Sequence, residues 1–202
     1  MPTAYKRVVL VNPPWSFEGS RYWACTEPHV PLELLYPQAL LRASGIEADV
    51  LDAHLEQLSP EAAARRVEAI EPDLIVVTTA PSYLFWRCPP PEMAVPARIV
   101  PLLTPIAPVL AIGPHGSATP RFMLEKLGCA GVVRGEPEME LVRIATGAEA
   151  TSTVWAEDAE IEPRAAPAVV DVKTLPALDF AGYPLELRTH RHHVFSGEGR
   201  GA

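Results

Sequence analysis

The amino-acid sequence predicts an α/β fold in which helices cover both faces of a doubly wound, five-stranded parallel sheet with strand order 2-1-3-4-5. Short apolar runs alternate with helical patterns at a spacing of about 30 residues, which is typical of parallel crossover units. The clearest run, Asp73–Thr79 (DLIVVTT), is apolar almost throughout, as is usual for a strand covered on both faces. We expect it at the centre of the sheet.

Each predicted element has a local signal. The first strand is a β-branched run that ends at Asn12-Pro13-Pro14, because proline cannot donate a ladder hydrogen bond. Ser59-Pro60 is typical of a helix start, where serine caps the helix and proline occupies its first turn. The predicted strands are Arg7–Val11, Glu47–Asp52, Asp73–Thr79, Pro108–Gly113 and Gly131–Arg134, and the predicted helices are Pro31–Ser44, Ser59–Ile70, part of Met93–Leu103, Ala118–Leu127 and Glu136–Thr146.

The alternating pattern stops at residue 147. Residues 1–147 are expected to form one domain, which is long enough for a buried core. Residues 148–202 are predicted to be a small, proline-rich extension and linker, with minor strands at Ser152–Ala156 and Ala168–Val172 and an extended connector at Leu175–Pro184. The 23 prolines of the chain cluster at 89–108 and 163–184, which indicates loops or linkers.

The composition limits the classes of partner. Hydrophobic residues make up 48% and charged residues 21% of the chain, and no apolar run is long enough to span a bilayer. The formal net charge of -8 disfavours binding along nucleic-acid phosphates. The N-terminus lacks the pattern of a signal peptide, so we expect a cytoplasmic protein without membrane partners. Cys25, Cys88 and Cys129 are odd in number and far apart, which indicates reduced thiols.

Four loops are expected to form a ligand site. In an open parallel sheet, ligands bind beyond the carboxyl ends of the strands, near the point where the strand order reverses. The loops at this edge are rich in small residues, prolines and hydroxyls, and they have few groups suited to acid–base chemistry. The sequence therefore predicts a binding site and no catalytic or metal-ligating residue. The predicted site residues are Asn12, Pro13, Pro14, Trp15, Thr78, Thr79, Ala80, Pro81, Ser82, Gly113, Pro114, His115, Gly116, Arg134, Gly135, Glu136 and Pro137.

Five aromatic residues lie in loops at the same edge. They either shield the ligand or form a local packing cluster, and the sequence does not decide between the two roles. They are Trp15, Tyr22, Trp23, Phe85 and Trp86.

A family resemblance rests on five segments. From Val11 to Glu138 the chain contains, in order, VNPPW, PLELLYPQALLRASGIEADVLDAH, PDLIVVTT, IGPHGSATP and GVVRGEPE. In this order and spacing they resemble the N-terminal, cobalamin (B12)-binding domain of the cobalamin-dependent radical S-adenosylmethionine (SAM) family. The resemblance implies a flavodoxin-like, Rossmann-like fold that holds a corrinoid between the carboxyl edge of the sheet and a catalytic barrel that follows in the same chain.

The resemblance also implies a role for each loop. Asn12–Trp15 would pack under the lower face of the corrin and leave the cobalt without a protein ligand. Thr78–Ser82 and Gly113–Gly116 would flank the nucleotide tail, with hydroxyl donors in the first loop and glycines that allow close backbone approach in the second. Arg134–Pro137 would line the corrin edge, where backbone amides at a helix N-terminus can meet the amide side arms of the corrin.

The sequence lacks the motif that marks the catalytic half of this family. That half has a CxxxCxxC motif, which holds a 4Fe-4S cluster that acts on S-adenosylmethionine, and the three cysteines do not have this spacing. We expect that this chain alone does not catalyse radical chemistry, whereas a full-length relative would transfer a methyl group or assist a rearrangement. The chain would then be either a truncation of such an enzyme or a stand-alone binding domain.

The histidines offer weaker alternatives. Asp52-Ala53-His54 partly matches the DxHxxG motif of methionine-synthase-like cobalamin domains, but it follows the second strand and has Gln57 in place of glycine. A solvated aspartate and histidine are expected there. His115, at the ligand edge, contacts either the cofactor or the backbone of its own turn. Three C-terminal histidines are expected to lie in a flexible tail and not in a metal site. They are His190, His192 and His193.

Other functions are compatible with the predicted fold. A flavodoxin-like protein can bind FMN or another nucleotide, although Asn12-Pro13-Pro14 lacks the amide donors of a phosphate loop. A non-catalytic interaction domain also stays open. A receiver domain is excluded, because it needs acidic residues and a lysine where the sequence has Asn12, Thr78 and Arg134. A dinucleotide-dependent dehydrogenase is disfavoured, because no GxGxxG motif follows a predicted strand.

Overall fold

The computed structural model describes residues 4–16, 29–80, 93–158, 166–178, 180 and 182–187. Six strands form one sheet: β1 (Arg7–Asn12), β2 (Glu47–Asp52), β3 (Leu74–Thr78), β4 (Val109–Ile112), β5 (Gly131–Val133) and β6 (Thr153–Trp155). Their order is β2-β1-β3-β4-β5-β6. The first five strands are parallel, and β6 is antiparallel to β5. The predicted order 2-1-3-4-5 is confirmed, and β6 extends it by an antiparallel edge strand.

The described residues form six α-helices: α1 (Leu32–Ala43), α2 (Pro60–Ile70), α3 (Ala94–Leu103), α4 (Pro114–Ala118), α5 (Pro120–Leu127) and α6 (Glu138–Ala145). Five of them lie within the predicted helices. The exception is the short helix α4. Its C-cap residue Thr119 has a φ of -137°, which separates it from α5 at Pro120. No helix among these residues is long and apolar enough to cross a membrane.

The two faces of the sheet form separate hydrophobic layers. Side chains alternate along a strand, so Val9 and Val11 of β1 pack with α2, α3 and α5, while Val8 and Leu10 pack with α1 and α6. Every residue of β3 is buried, as its apolar run predicts. This coverage on both faces fixes the sheet and leaves the ends of its strands for a site.

A buried carboxylate holds the edge strand β6. Glu140 of α6 is fully buried, and its Oε1 accepts hydrogen bonds from Ser152 N at 2.6 Å and from Thr153 Oγ1 at 2.9 Å. A Cβ on Gly131 would lie only 3.0 Å from the ring of Trp155, so β5 and β6 approach each other closely. β6 thus covers the edge that β5 would otherwise expose.

The chain after β6 returns to the carboxyl edge of the sheet. We call its described residues from Ala166 to Leu187 the strap. Ala168 forms a parallel bridge with Gly135, directly after β5. Tyr183 packs with Leu35 and Leu55 in a small buried cluster beside the end of β2. The strap therefore contacts loops at both sides of the parallel sheet. The minor strand predicted at 168–172 is reduced to the isolated bridge at Ala168. The domain boundary at residue 147 stays a prediction.

Candidate functional site

The carboxyl ends of the parallel strands lie side by side at one edge of the sheet. The register pairs Asn12 with Asp52 and Thr78 with Ile112. The strand order reverses its direction between β1 and β3, since β2 lies on one side of β1 and β3 on the other. Ligands of open parallel sheets bind in this crevice. The loops predicted to form the site follow β1, β3, β4 and β5, and they all lie at this edge.

The loop after β1 is bonded to itself and to β2. The indole N–H of Trp15 donates to Asn12 Oδ1 at 2.7 Å, and Asn12 Nδ2 donates to Asp52 Oδ1 at 2.8 Å. The backbone N–H of Trp15 donates to Pro13 O at 2.9 Å. Asn12, Pro13 and Trp15 are buried, and Pro14 is half-buried. The side chain that this loop shows at its surface is therefore the apolar ring of Pro14.

Asp52 is the hub of this arrangement, which corrects the expectation of a solvated residue. Its side chain is fully buried, Oδ1 also accepts from Leu55 N at 2.9 Å, and Oδ2 accepts from the Tyr183 hydroxyl at 2.7 Å. Neither Asp52 nor Tyr183 is among the predicted site residues. The alignment of Asn12 with Asp52 at neighbouring strand ends is the signal that could have identified Asp52, whereas nothing local marks Tyr183.

The loop after β3 contains two buried threonines. The Thr78 hydroxyl donates to Ala80 O at 2.8 Å, and the Thr79 hydroxyl donates to Ile112 O at 2.8 Å. A hydroxyl carries one hydrogen, so in this structure both threonines donate within the chain. The threonines fix the shape of the loop. The remaining predicted residues of this loop, Pro81 and Ser82, lie outside the described part of the chain.

His115, in α4, links the loops after β3 and β4. Its Nδ1 lies 3.1 Å from Thr79 O. A carbonyl oxygen only accepts, so Nδ1 carries the proton and Nε2 is left as an acceptor. Burial lowers the pKa of His115 from its ordinary value of 6.5 more than the hydrogen bond to Thr79 raises it, so the imidazole is neutral at pH 7.

The two glycines of this loop are required by packing within the edge. Gly113 has a φ of +110°, and a Cβ there would lie 2.9 Å from Thr79 Oγ1. A Cβ on Gly116 would lie 2.5 Å from Val132 Cγ1, so α4 packs closely on β5 only because this residue is glycine. Between them, Pro114 is exposed at the start of α4. The loop is thus held firmly against both neighbouring strands.

The backbone N–H groups of the loop after β5 are already bonded. Pro137 has none, and the other three donate to groups of the strap, of the β6 region and of α4. These three amides are therefore engaged within the chain. The bonds are Arg134 N to Ser152 O (2.9 Å), Gly135 N to Ser117 Oγ (2.8 Å) and Glu136 N to Ala168 O (2.9 Å).

Two glutamates at the start of α6 differ in their surroundings. Glu136 is exposed, and its Oε2 accepts from the strap amide of Val170. Glu138 is 8% exposed, and its Oε2 has no hydrogen-bond partner among the described residues. Burial, and next the charge of Glu136, raise the pKa of Glu138. Nothing in the sequence singles out Glu138, because a glutamate in a first helical turn is usually solvated.

Several predicted residues lie outside the described part of the chain. They are Cys25, Cys88, Tyr22, Trp23, Phe85, Trp86, His190, His192 and His193. Among the residues that are described, no three His, Cys, Asp or Glu side chains are placed together to hold a metal ion. Trp15 is buried with its indole N–H bonded, which favours a packing role for this aromatic residue.

The fold and the position of the loops define a class, that of doubly wound α/β domains that bind a ligand at the carboxyl edge of the sheet. A family model described as the B12 binding domain matches residues 25–145, more than half of the chain, from α1 to α6. The chain belongs to this B12-binding domain family. A comparison with curated proteins finds no match.

Solved structures of cobalamin-dependent radical enzymes share the fold. The cobalamin-dependent S-adenosylmethionine radical enzyme OxsB, with aqua-cobalamin and S-adenosylmethionine bound, matches with a TM-score of 0.67 and 13% identity over 86% of this chain and 24% of that chain. The radical S-adenosylmethionine methyltransferase TsrM from Kitasatospora setae, with cobalamin and a 4Fe-4S cluster bound, matches with a TM-score of 0.58 and 23% identity over 74% of this chain and 29% of that chain. This chain therefore spans well under half the length of either enzyme.

Proposed function

We propose that this chain binds cobalamin at the carboxyl edge of its sheet, as the cofactor module of a larger radical SAM enzyme. The family match carries the proposal, because the B12-binding model covers the loops after β3, β4 and β5. The geometry supports it. Hydrogen bonds from Thr79 to Ile112 and from Gly135 to Ser117 tie these loops together, so a large ligand would meet a preformed rim.

The loop after β1 suits the lower face of a corrin ring. Asn12 Nδ2 and the indole N–H of Trp15 both donate inside the chain, and Pro13 and Pro14 have no N–H, so the loop offers an apolar surface to a flat ligand. We therefore propose that Asn12–Trp15 packs under the corrin and leaves cobalt without a protein ligand. Cobalamin, when bound, supplies a cobalt centre that can carry a methyl group.

The loops after β3 and β4 are proposed to flank the nucleotide tail. Thr78, Thr79 and Ala80 would act through the loop shape that their internal hydrogen bonds maintain. His115 would act directly, because its neutral ring keeps Nε2 as an acceptor for an amide N–H of the cofactor. Gly113–Gly116 would present backbone close to the tail, since the glycines hold this loop against β5 and Thr79.

Arg134–Pro137 is proposed to line the edge of the corrin. The backbone N–H groups of Arg134, Gly135 and Glu136 are engaged within the chain, so contacts would come from the side chains of this loop and from the N-terminal turn of α6. The corrin carries amide side arms, which donate and accept hydrogen bonds and therefore suit both kinds of group.

In the full-length protein we propose that a radical SAM barrel in the same chain carries a 4Fe-4S cluster and S-adenosylmethionine and closes over the cofactor. The support is that solved enzymes with this fold include OxsB and TsrM, of which this chain spans 24% and 29%. Methyl transfer or rearrangement is the proposed reaction, and this chain would bind and orient the cofactor. A cytoplasmic location stays a prediction.

The test is equilibrium dialysis of the chain against hydroxocobalamin and, in a separate chamber, against FMN. We expect hydroxocobalamin to accumulate with the protein, with the absorption spectrum of a cofactor whose own base has left cobalt and no histidine in its place. Ligand at about 1 mM detects a binding free energy of about 4 kcal/mol. Accumulation of FMN alone would move the assignment to a nucleotide-binding protein, and accumulation of neither ligand would contradict the proposal.

A further inference from the structure

Four side chains form one continuous chain of hydrogen bonds at the β1 and β2 ends of the sheet. Tyr183 donates to Asp52 at 2.7 Å, Asn12 donates to Asp52 at 2.8 Å, and Trp15 donates to Asn12 at 2.7 Å. We call these four residues the Asp52 relay. The relay joins the strap to the loop after β1, although Tyr183 and Asp52 are 131 positions apart in the sequence.

The relay is buried along its whole length. Its members are at most 6% exposed, and Asp52 is fully buried. Each carboxylate oxygen of Asp52 has a donor: Tyr183 donates to Oδ2, and Oδ1 accepts from Asn12 and also from Leu55 N, the latter at 2.9 Å. A buried polar network in which the bonds are made is rigid, and removing one partner leaves a buried polar group unsatisfied. Tyr183 is the member that the strap supplies to this network.

The position of Tyr183 depends in turn on the strap. Its ring packs with Leu35 and Leu55, and Leu178 packs against the same cluster. The strap is fastened at its other end by the bridge between Ala168 and Gly135, at the loop after β5. A shift of the strap would thus reach the loop after β1 through Tyr183 and Asp52.

We propose that Tyr183 and Asp52 are positioning residues, which hold the Asn12–Trp15 loop in the shape that binds the corrinoid and so couple docking of the strap to occupation of the site. This inference rests on the proposed function. It extends the site to a residue of the strap, beyond the residues 25–145 that the family model covers. Neither residue touches the ligand in this account, and both act through Asn12 and Trp15.

The first arm of the test needs no ligand. Tyr183→Phe removes one oxygen, and Tyr5→Phe is the control, because Tyr5 is also a buried tyrosine but precedes β1 at the opposite edge of the sheet. The readout is the NMR signal of the Trp15 indole N–H, assigned by its loss in Trp15→Phe. We expect Tyr183→Phe to shift this signal and speed its hydrogen exchange about tenfold, the effect of one lost hydrogen bond. In Tyr5→Phe, the Trp15 indole signal and its exchange rate should be those of the wild type.

The second arm measures hydroxocobalamin affinity by dialysis. We expect Tyr183→Phe to weaken binding about tenfold and Tyr5→Phe to leave it unchanged. Leu178→Ala removes no polar group of the relay but loosens the packing that positions Tyr183, so it should move the Trp15 signal in the same direction. This variant serves if Tyr183→Phe does not fold.

The outcomes separate the two proposals. An unchanged Trp15 signal in Tyr183→Phe and Leu178→Ala would overturn the relay, whatever the ligand does. A changed Trp15 signal with wild-type hydroxocobalamin affinity would overturn its coupling to the site. Failure of the wild-type chain to bind hydroxocobalamin would instead count against the proposed function, while the first arm would still decide whether the relay positions the loop.

Discussion

Gly135 and Ala168 form a parallel bridge that has no room for a side chain on Gly135. A Cβ at this position would overlap Ala168 O and lie 2.5 Å from Ala168 N. Gly135 also has a φ of +79°, which glycine adopts at little cost. The bridge fastens the strap to the loop after β5, and its geometry explains why this position is glycine.

Gly135→Ala is therefore predicted to detach the strap. Gly45→Ala is the matched control, because Gly45 has a φ of +80° but no heavy atom within 4 Å of its would-be Cβ. In urea unfolding we expect Gly45→Ala to cost about 1 kcal/mol and Gly135→Ala at least about 2 kcal/mol. Trypsin should also cleave faster after Lys173, in the strap, in Gly135→Ala. Equal costs and equal cleavage would show that the bridge is unimportant.

Cys129 is predicted to be an inert thiol in the folded chain. It is 1% exposed, and burial raises its pKa to about 11. At pH 8 about one molecule in a thousand would then carry the thiolate, which is the reactive form. In a variant with Cys25→Ser and Cys88→Ser, Ellman's reagent should leave the native protein unmodified and label one thiol after unfolding. Rapid labelling of the native protein would contradict the buried environment.

Glu138 is predicted to make folding less favourable as the pH rises. Burial and the charge of Glu136 raise its pKa in the folded state above the ordinary value of 4.5, so the folded chain binds more protons than the unfolded chain above that pH. Its contribution to stability is therefore greatest at acid pH and falls as pH rises through the folded-state pKa. Glu138→Gln should remove this dependence and be more stable than wild type at pH 8. His115, whose folded-state pKa is lowered, contributes to the pH dependence with the opposite sign. Since His115 is present in both proteins, the difference in the free energy of unfolding between wild type and Glu138→Gln, measured across pH, isolates Glu138.

Glu71→Gly is predicted to stabilise the chain. Glu71 ends α2 in the left-handed region, with φ 54° and ψ 53°, and its side chain is exposed. Glycine adopts this conformation without the steric cost of a Cβ, so we expect a gain of about 1 kcal/mol in the free energy of unfolding. Glu68→Gly, at an exposed position inside the same helix, should lose about 1 kcal/mol. A loss in both variants would contradict the capping argument.

Local patterns were sufficient to predict most of the fold. Most strands before the extension are short apolar runs, and helices such as α2 have a capping serine and a first-turn proline, so the hydrophobic pattern and capping rules identify them. The loops of the site follow from the strand order, because the ends of parallel strands lie at one edge. α4 was missed because Pro114, His115 and Gly116 resemble a turn, and one short helix has little periodicity to detect.

Contacts between distant parts of the chain could not be predicted. Asp52 looks like an ordinary strand-end carboxylate until Tyr183 is placed beside it. The use of the Thr79 hydroxyl by Ile112 depends on how closely β4 lies to β3. The bonding of the loop after β5 likewise depends on the return of Ala168. In each case the fold, and not the local sequence, determines which polar groups at this edge are already engaged.

A corrinoid that occupies the carboxyl edge would protect the backbone there, which hydrogen–deuterium exchange with and without hydroxocobalamin measures. We expect slower exchange in the loop at 113–116 and in the first turn of α6. Exchange should not change at Gly45 and Gly128, in the turns that lead into β2 and β5 at the opposite edge. Slower exchange at Gly45 and Gly128, with the carboxyl-edge loops unchanged, would contradict corrinoid binding at the carboxyl edge.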